Sequence, residues 1–270
     1  MSTATATTAI SGSAVRPVFG EYSKYYDLLY SDKNYQQEAD YVCAFLEEHP
    51  GRRAEVLEFG SGTGRHGRLL AARGLNVVGI ERSPEMARQA NSFDEVSGSG
   101  SFRCVVGDLC SALLDRKFDC VLALFHVISY QTSDAAVESA FTNAARHLEQ
   151  GGVFVFDVWH APAVLCERPV VRVKRVEDAR FRLTRIAEPT LLTEENCVSV
   201  NYTLFVEDKL LGQTGVCEEQ HLMRYFSLPE LRSIAVRTGF ELVHSEEWLS
   251  RKSPGPDTWG VCYVLRKTGA

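Results

Sequence analysis

Three carboxylates and a run of glycines stand at spacings that suit the recognition of a nucleoside. Glu58 precedes Gly60, Ser61, Gly62, Thr63 and Gly64, Glu81 closes the apolar run "NVVGIE", and Asp108 follows Gly107 after "FRCVV". Glycine is costly to order, so three in five residues mark a tight turn or a close backbone approach to a ligand. A carboxylate ending the next strand can accept from both hydroxyls of a ribose, the role expected of Glu81. Asp108 suits an exocyclic adenine amine. Gly62, Gly64 and Gly67 also satisfy the dinucleotide spacing G-x-G-x-x-G. Glu58 speaks against that reading, because a carboxylate there opposes a pyrophosphate but can help to hold an ammonium group. The plainer readings are turn glycines, a solvated strand end at Glu81, and a cap at Asp108 on a helix beginning at Leu109.

A second set of residues could face an acceptor. His126 lies in "LFHVISY", and Asp157, Trp159 and His160 lie in "FDVWH". Both segments end apolar, strand-like runs, and α/β sheets bind ligands at the carboxyl ends of their strands. His126 is a candidate proton carrier, although a lone histidine more often only lines a site. Between 168 and 185 stand Arg168, Arg172, Lys174, Arg175, Arg180, Arg182 and Arg185 against Glu167, Glu177 and Asp178. Such an excess could grip a diphosphate, and solvated strand faces are the plainer reading. Arg172 and Arg224 are the substrate-side cations expected here.

The elements that must position these groups follow from the hydrophobic pattern. From Ala54 short apolar runs alternate with helical patterns, through "AEVLEF", "RLLAARG", "LNVVGIE", "SPEMARQAN", "FRCVVGD", "FDCVLALF" and "DAAVESAFTNAARHLEQGG" to "VFVFDVW". Runs this apolar suit strands covered on both faces, joined as parallel βαβ units. Ser83 before Pro84 reads as a helix start. Ahead of them, Ala39, Val42, Cys43 and Leu46 recur at helical spacing. The rhythm breaks near Ala161, and Val170 to Phe226 reads as an antiparallel insertion lying over the parallel sheet. A helix, "LPELRSIAVRTG", and two last strands complete the chain.

Composition sets the outer limits. The net charge is −6 over 270 residues, with 45% hydrophobic and 24% charged. That is an ordinary soluble globule, without the basic footprint of a nucleic-acid polymer binder. No run approaches the length that spans a bilayer, and the opening "MSTATATTAISGSAV" lacks the pattern of a secretory signal. Eight cysteines carry no Cys-x-x-Cys pair and read as free thiols in a reducing cytoplasm rather than as metal ligands.

Taken together, the acidic-G-x-G-x-G run of residues 58–64, Glu81, the Gly107-Asp108 pair and "FDCVLALFHVISY" resemble the class I S-adenosylmethionine-dependent methyltransferases. The resemblance covers about Tyr22 to the end and implies an α/β fold. Its core is a Rossmann-like, mostly parallel seven-stranded sheet flanked by helices, with the antiparallel insertion after the fifth strand. The expected divisions are a disordered tail (1–18), a helical lid (19–53), the cofactor core (54–163), the insertion (164–226) and the C-terminal helix with two strands (227–270).

The resemblance implies S-adenosyl-L-methionine as cofactor, held by Tyr26, Tyr35, Glu58, Gly60, Ser61, Gly62, Gly64, Glu81, Met86, Gly107 and Asp108. The adjoining Arg82, Leu109, Leu124 and Phe125 are expected to share that site. Within the superfamily, Tyr26-Asp27-Leu28 and Lys33-Asn34-Tyr35 resemble segments of the N-methyltransferases of dTDP-linked amino sugars and of related surface-polysaccharide enzymes. This implies a small-molecule acceptor, such as a nucleotide sugar, with Tyr26 and Tyr35 folding over the cofactor. Tyr25 and Tyr30 are read as packing residues. Those enzymes carry a histidine where this chain has Tyr130, so the catalytic candidates are His126, Tyr130 and Tyr35. O-methylation of a sugar or phenolic hydroxyl, and a non-catalytic nucleoside-binding role, stay open, as does a homodimer.

Overall fold

The computed structural model describes residues 20–48, 55–93 and 98–269. The tail expected over 1–18 lies outside them, as do the edges of the expected lid.

Five strands run parallel in the spatial order β3-β2-β1-β4-β5: β1 (Glu55–Phe59), β2 (Asn76–Glu81), β3 (Ser101–Val106), β4 (Phe118–Ala123) and β5 (Leu148–His160). The apolar runs of β1, β2, β4 and β5 are buried on both faces, whereas the edge strand β3 buries only Cys104. On one side α2 (Tyr35–Glu48) sets Ala39, Val42, Phe45 and Leu46 against Val56, Cys120 and Val155. On the other, α5 (Asp134–His147) sets Val137, Phe141 and Ala144 against Phe59, Val121 and Phe154. The first crossovers are α3 (Arg65–Ala72) and α4 (Pro84–Ala90), and the Ser83 hydroxyl caps α4 by accepting from the Met86 N–H. Beyond β5 lies β11 (Gly260–Lys267), antiparallel to it, and then β10 (Phe240–Glu247). These seven strands are the expected core sheet.

The insertion consists of β6 (Arg172–Glu177), β7 (Phe181–Leu192), β8 (Cys197–Asp208) and β9 (Gln213–Phe226), each antiparallel to the next. It does not lie over the core but continues it, making one sheet of 11 strands. The reason is the length of β5. It outruns β4, and the open backbone groups of Trp159 and His160 pair in parallel with Tyr225 and Phe226 of β9. Between β5 and β6 a short helix, α6 (Ala161–Glu167), has Pro162 in its first turn, and α7 (Leu228–Arg237) opens with a Ser227–Glu230 capping box. The strand-rich reading of this region overlooked α6. Ahead of the core, a 3-10 turn (Glu21–Tyr25) runs into α1 (Tyr26–Leu29). Among the described residues no helix is long and apolar enough to cross a membrane.

Candidate active site

The glycine loop joins β1 to α3, and Gly60, Gly62 and Gly64 all have left-handed φ, from +55° to +75°. Their neighbourhoods differ. A Cβ on Gly64 would meet the Phe102 ring at 2.7 Å, whereas one on Gly62 would meet nothing within 4 Å. Gly64 therefore serves the packing of the sheet, and Gly62 faces open space where a ligand can lie against the backbone. Gly67 is a packing residue too, its Cβ position 2.3 Å from Phe102. That removes the dinucleotide spacing as an independent signal.

Glu81 fastens this loop. Its carboxylate accepts from the Gly62 N–H at 2.9 Å and from the Ser83 N–H at 2.7 Å. Each oxygen keeps a further lone pair, so two hydroxyls of a ribose can still be accepted. Glu58 is 2% exposed, and its Oε2 has no hydrogen-bond partner among the described residues. Burial, helped by the neighbouring Glu81 charge, pushes its carboxyl up to about 8. Its other oxygen lies 3.9 Å from His66 Nδ1, so one oxygen of a buried carboxyl stays open to a cation. Gly107 donates to the Glu81 carbonyl, which sets Asp108 beside the same strand end. Asp108 is exposed and accepts from the Cys110 N–H at 2.8 Å, closing a turn. No helix begins at Leu109, which packs half-buried against the core. Met86 is buried in the first turn of α4, and Arg82 is exposed.

One expected cofactor contact is narrowed to backbone and another is corrected. The Ser61 hydroxyl turns beneath the loop, 3.2 Å from the Cys104 thiol, so only its backbone can serve a ligand. Leu124, the residue after β4, packs in the apolar layer under α2 with Cys120 and Leu122.

The N-terminal segment is latched to the loop. Asp27 accepts from the Thr63 hydroxyl at 2.8 Å and from the Gln89 amide at 2.9 Å, with the Arg65 guanidinium 3.1 Å away. Tyr35 is buried beside the His66 ring at 4.9 Å, and its hydroxyl has no hydrogen-bond partner among the described residues. The Lys33 ammonium lies 4.3 Å from both the Tyr35 and the Phe125 ring centroids. It also pairs with Glu38, which in turn meets His66 Nε2 at 2.6 Å. Two aromatic faces that accept an ammonium suit a shielded cation equally well. Tyr26 and Tyr30 stack 4.7 Å apart, and Tyr30 meets Phe125 at 5.1 Å, so Tyr30 borders the site and is no mere packing residue. Tyr25 does pack, on Phe181 of the insertion.

At the end of β4, Phe125 and His126 are consecutive non-glycine residues with φ of +66° and +62°. Such backbone is costly and needs an external clamp. Asp157 is that clamp. It is 1% exposed and accepts from the N–H groups of Phe125 (2.6 Å) and His126 (3.1 Å), with His126 Nδ1 2.6 Å from its second oxygen. Both of its oxygens serve the chain's own N–H groups and the carboxylate is buried, which corrects its expected contact with substrate. Trp159 presents its ring to His126 at 6.1 Å.

His160 is buried where the chain enters α6, its N–H donating to the Trp259 carbonyl. Arg224 is buried too, paired at 2.6 Å with both Asp134 and Glu230, and so ties α5 to α7 rather than meeting substrate. Arg172 stands exposed at the start of β6. Of the basic run, Lys174, Arg180 and Arg182 pair with Asp32, Asp208 and Glu177, the solvated-face reading. Arg185 departs from it, donating to the hydroxyls of Tyr22 and Tyr30 at 3.1 Å each.

One contact had no sequence signal. The Tyr130 hydroxyl lies 2.9 Å from Nδ1 of His221 on β9, a histidine 91 residues away.

A methyltransferase-domain family model matches residues 56–152. The chain carries a methyltransferase domain. The domain spans β1 to the start of β5 and holds the glycine loop, Glu81 and Asp108, as the resemblance implied. Over 213 residues the chain is 28% identical to a Streptomyces fradiae dTDP-3-amino-3,6-dideoxy-alpha-D-glucopyranose N,N-dimethyltransferase, covering 77% of this chain and 79% of that one. A Streptomyces venezuelae relative, a dTDP-3-amino-3,4,6-trideoxy-alpha-D-glucopyranose N,N-dimethyltransferase, is 26% identical over 54% of this chain and 61% of its own. Among solved structures, a sugar N-methyltransferase from Streptoalloteichus sp superposes with a TM-score of 0.76 at 21% identity, covering 99% of both chains. An S-adenosylmethionine-bound amino pentose methyltransferase from Micromonospora echinaspora gives 0.70 at 22% identity, covering 95% of this chain and 100% of that one. These superpositions extend the shared fold through the insertion that follows the methyltransferase domain.

Proposed function

We propose that the protein transfers a methyl group from S-adenosyl-L-methionine to the amine of a nucleotide-linked amino sugar. The observation that carries the cofactor reading is the open oxygen of the buried Glu58 carboxyl beside the Glu81-fastened loop. One group awaits a cation and the other a diol, on either side of Gly62. Glu58 would hold the amino group, Glu81 the ribose hydroxyls, and Asp108 the adenine amine with Met86 beside the ring. The aromatic faces of Tyr35 and Phe125 would border the sulfonium, with Lys33 yielding the space between them.

When bound, the cofactor supplies a methyl carbon whose bond to sulfur breaks, electron pair to sulfur, as the bond to nitrogen forms. The chain's own part is to hold acceptor and cofactor in line and to exclude water. Tyr26, Tyr30 and Tyr35 cover the site from the N-terminal segment, and Asp157 fixes the backbone of Phe125 and His126 at its floor. The amino-sugar acceptor rests on the relatives from both Streptomyces species and on the tyrosines gathered against His221 of β9, Tyr22, Tyr130 and Tyr202. Incubation with the cofactor and a panel of nucleotide sugars should raise one of them by the mass of a methyl group. Cofactor binding without any such product would refute the acceptor class, and calorimetric binding of NAD but not S-adenosylhomocysteine would refute the cofactor.

A further inference from the structure

His221 and Glu219 stand on β9, outside the methyltransferase domain, and both side chains are 3% exposed. The Tyr130 hydroxyl is 2.9 Å from His221 Nδ1, and His221 Nε2 is 3.2 Å from Glu219 Oε2. The other Glu219 oxygen accepts the backbone N–H groups of Gly20 at 2.9 Å and Tyr22 at 3.3 Å. The order of donors follows from these contacts. A carboxylate holding two backbone donors is an acceptor, so Nε2 carries the imidazole proton, Nδ1 is bare, and the phenol donates to it. Burial among Tyr202, Tyr30 and Tyr22 keeps the Tyr130 phenol far above its ordinary range and therefore protonated. The groups that face His221 are Tyr130 from the 3-10 turn Val127–Tyr130, Tyr22 from the N-terminal turn, and Tyr202 from β8 at 4.8 Å. Arg185 of β7 lies behind Tyr202 at 5.0 Å, and Glu219 lies on His221's own strand.

We propose that His221 is the proton acceptor of the methyl-transfer reaction, acting through Tyr130 and held in its tautomer by Glu219. The inference rests on the amine reading above. An acceptor amine that enters as an ammonium must shed one proton before its lone pair can attack. That proton passes to the Tyr130 oxygen as the phenol's own proton passes to Nδ1. The imidazolium so formed lies against the Glu219 carboxylate and later releases its proton to water. His126, tied to Asp157, has no part in this path. The same carboxylate grips Gly20 and Tyr22, so the N-terminal segment that covers the site also fixes the orientation of the relay.

The test uses the full chain with dTDP-3-amino-3,6-dideoxyglucose as acceptor, in single-turnover measurements across pH with cofactor saturating. Tyr130→Phe and His221→Gln should slow transfer at pH 7 by about 10²-fold and move the acid limb of the wild-type profile up to the pH at which the acceptor ammonium itself ionises. Calorimetric affinity for S-adenosylhomocysteine should stay within twofold. Parallel pH profiles, lowered uniformly or not at all, would overturn the relay. Nitrogen-15 NMR of the cofactor-free protein gives an independent reading, including for Glu219→Gln should His221→Gln fail to fold. The neutral His221 ring is expected with Nε2 protonated and Nδ1 bare, and Glu219→Gln should redistribute the tautomers. A protonated Nδ1 in the neutral wild-type ring rejects the relay. A wild type that binds S-adenosylhomocysteine yet methylates no amine rejects the functional reading instead, and the NMR result then decides the relay alone.

Discussion

The proposed cofactor side and the proposed acceptor side of the molecule are built on opposite plans. The cofactor side is compact in sequence. Glu58, the glycine loop and Glu81 fall within 24 residues, and most of their contacts run through backbone N–H groups. The acceptor side draws on the N-terminal turn, the turn after β4, β7, β8 and β9, and meets through side chains: Tyr22, Tyr30, Tyr130, Arg185, Tyr202, Glu219 and His221. Backbone contacts tolerate changes of side chain, whereas a side-chain network changes whenever one member does. The first plan suits a ligand that never varies, and the second suits an acceptor that must be distinguished from its analogues.

The largest expected effect separates two glycines within the compact side. Gly64→Ala combines a left-handed backbone with overlap on Phe102 and should destabilise the fold by about 2–5 kcal/mol in urea unfolding. Gly62→Ala carries only the backbone term, about 1–2 kcal/mol, yet should weaken cofactor binding, because its new methyl enters the ligand space. Equal stability losses would end the distinction between packing and ligand-facing glycines. Glu81→Ala should lower cofactor affinity by roughly 2 kcal/mol or more, on the order of 30-fold, as a charged acceptor is lost. Calorimetry with S-adenosylhomocysteine checks this, and acceptor binding without cofactor should change little if the two sides are independent. Asp27→Ala unlatches the N-terminal segment from the loop. It should raise the cofactor KM several-fold, about 1 kcal/mol, with a smaller change in kcat. An unchanged KM would assign Asp27 to the acceptor side alone.

A further effect concerns pH. In the folded, ligand-free protein Glu58 keeps its proton up to about 8, whereas the unfolded chain releases it near the ordinary value of about 4.3. Between those values the folded state binds the extra proton, so stability falls as pH rises through this window. Glu58→Gln removes that slope. Its Tm advantage over the wild type should widen from pH 5 to pH 8, by about 2–4 °C for each kcal/mol recovered. A constant difference across that range would mean that Glu58 is ionised throughout.

The same contrast explains what could be read from sequence. The βαβ alternation, the Ser83-Pro84 helix start, the glycine loop and Glu81 are local signals, carried by residues close together in the chain. The sequence sets Asp157 at the end of β5 but does not show its partners, the backbone N–H groups of Phe125 and His126. Its contacts depend on the left-handed turn at Phe125 and His126, which no residue preference announces. Arg224 looked like a free cation because Asp134 and Glu230 approach it only through tertiary packing. His221 lay within a strand pattern as one polar residue among several, and only the β8–β9 register together with the turn at Tyr130 brings it to a phenol. The joining of the insertion to the core was hidden for a similar reason. It depends on how far β5 outruns β4, a difference of lengths rather than a motif.

The position of β11 bears on how the chain folds. The last strand in sequence lies inside the sheet, between β5 and β10, with Val261, Tyr263 and Leu265 almost wholly buried. Until it arrives, one edge of β5 is unpaired and the apolar faces beside it are open to water. The domain that binds the cofactor therefore cannot finish its own sheet from its own residues, and a nascent chain emerging from the ribosome must wait for β11. Closure across more than 100 residues, from Val153 to Arg266, is a slow, non-local step. Loss of the last strand would strike the nucleoside cradle at the far end of the chain as surely as a change in the glycine loop itself.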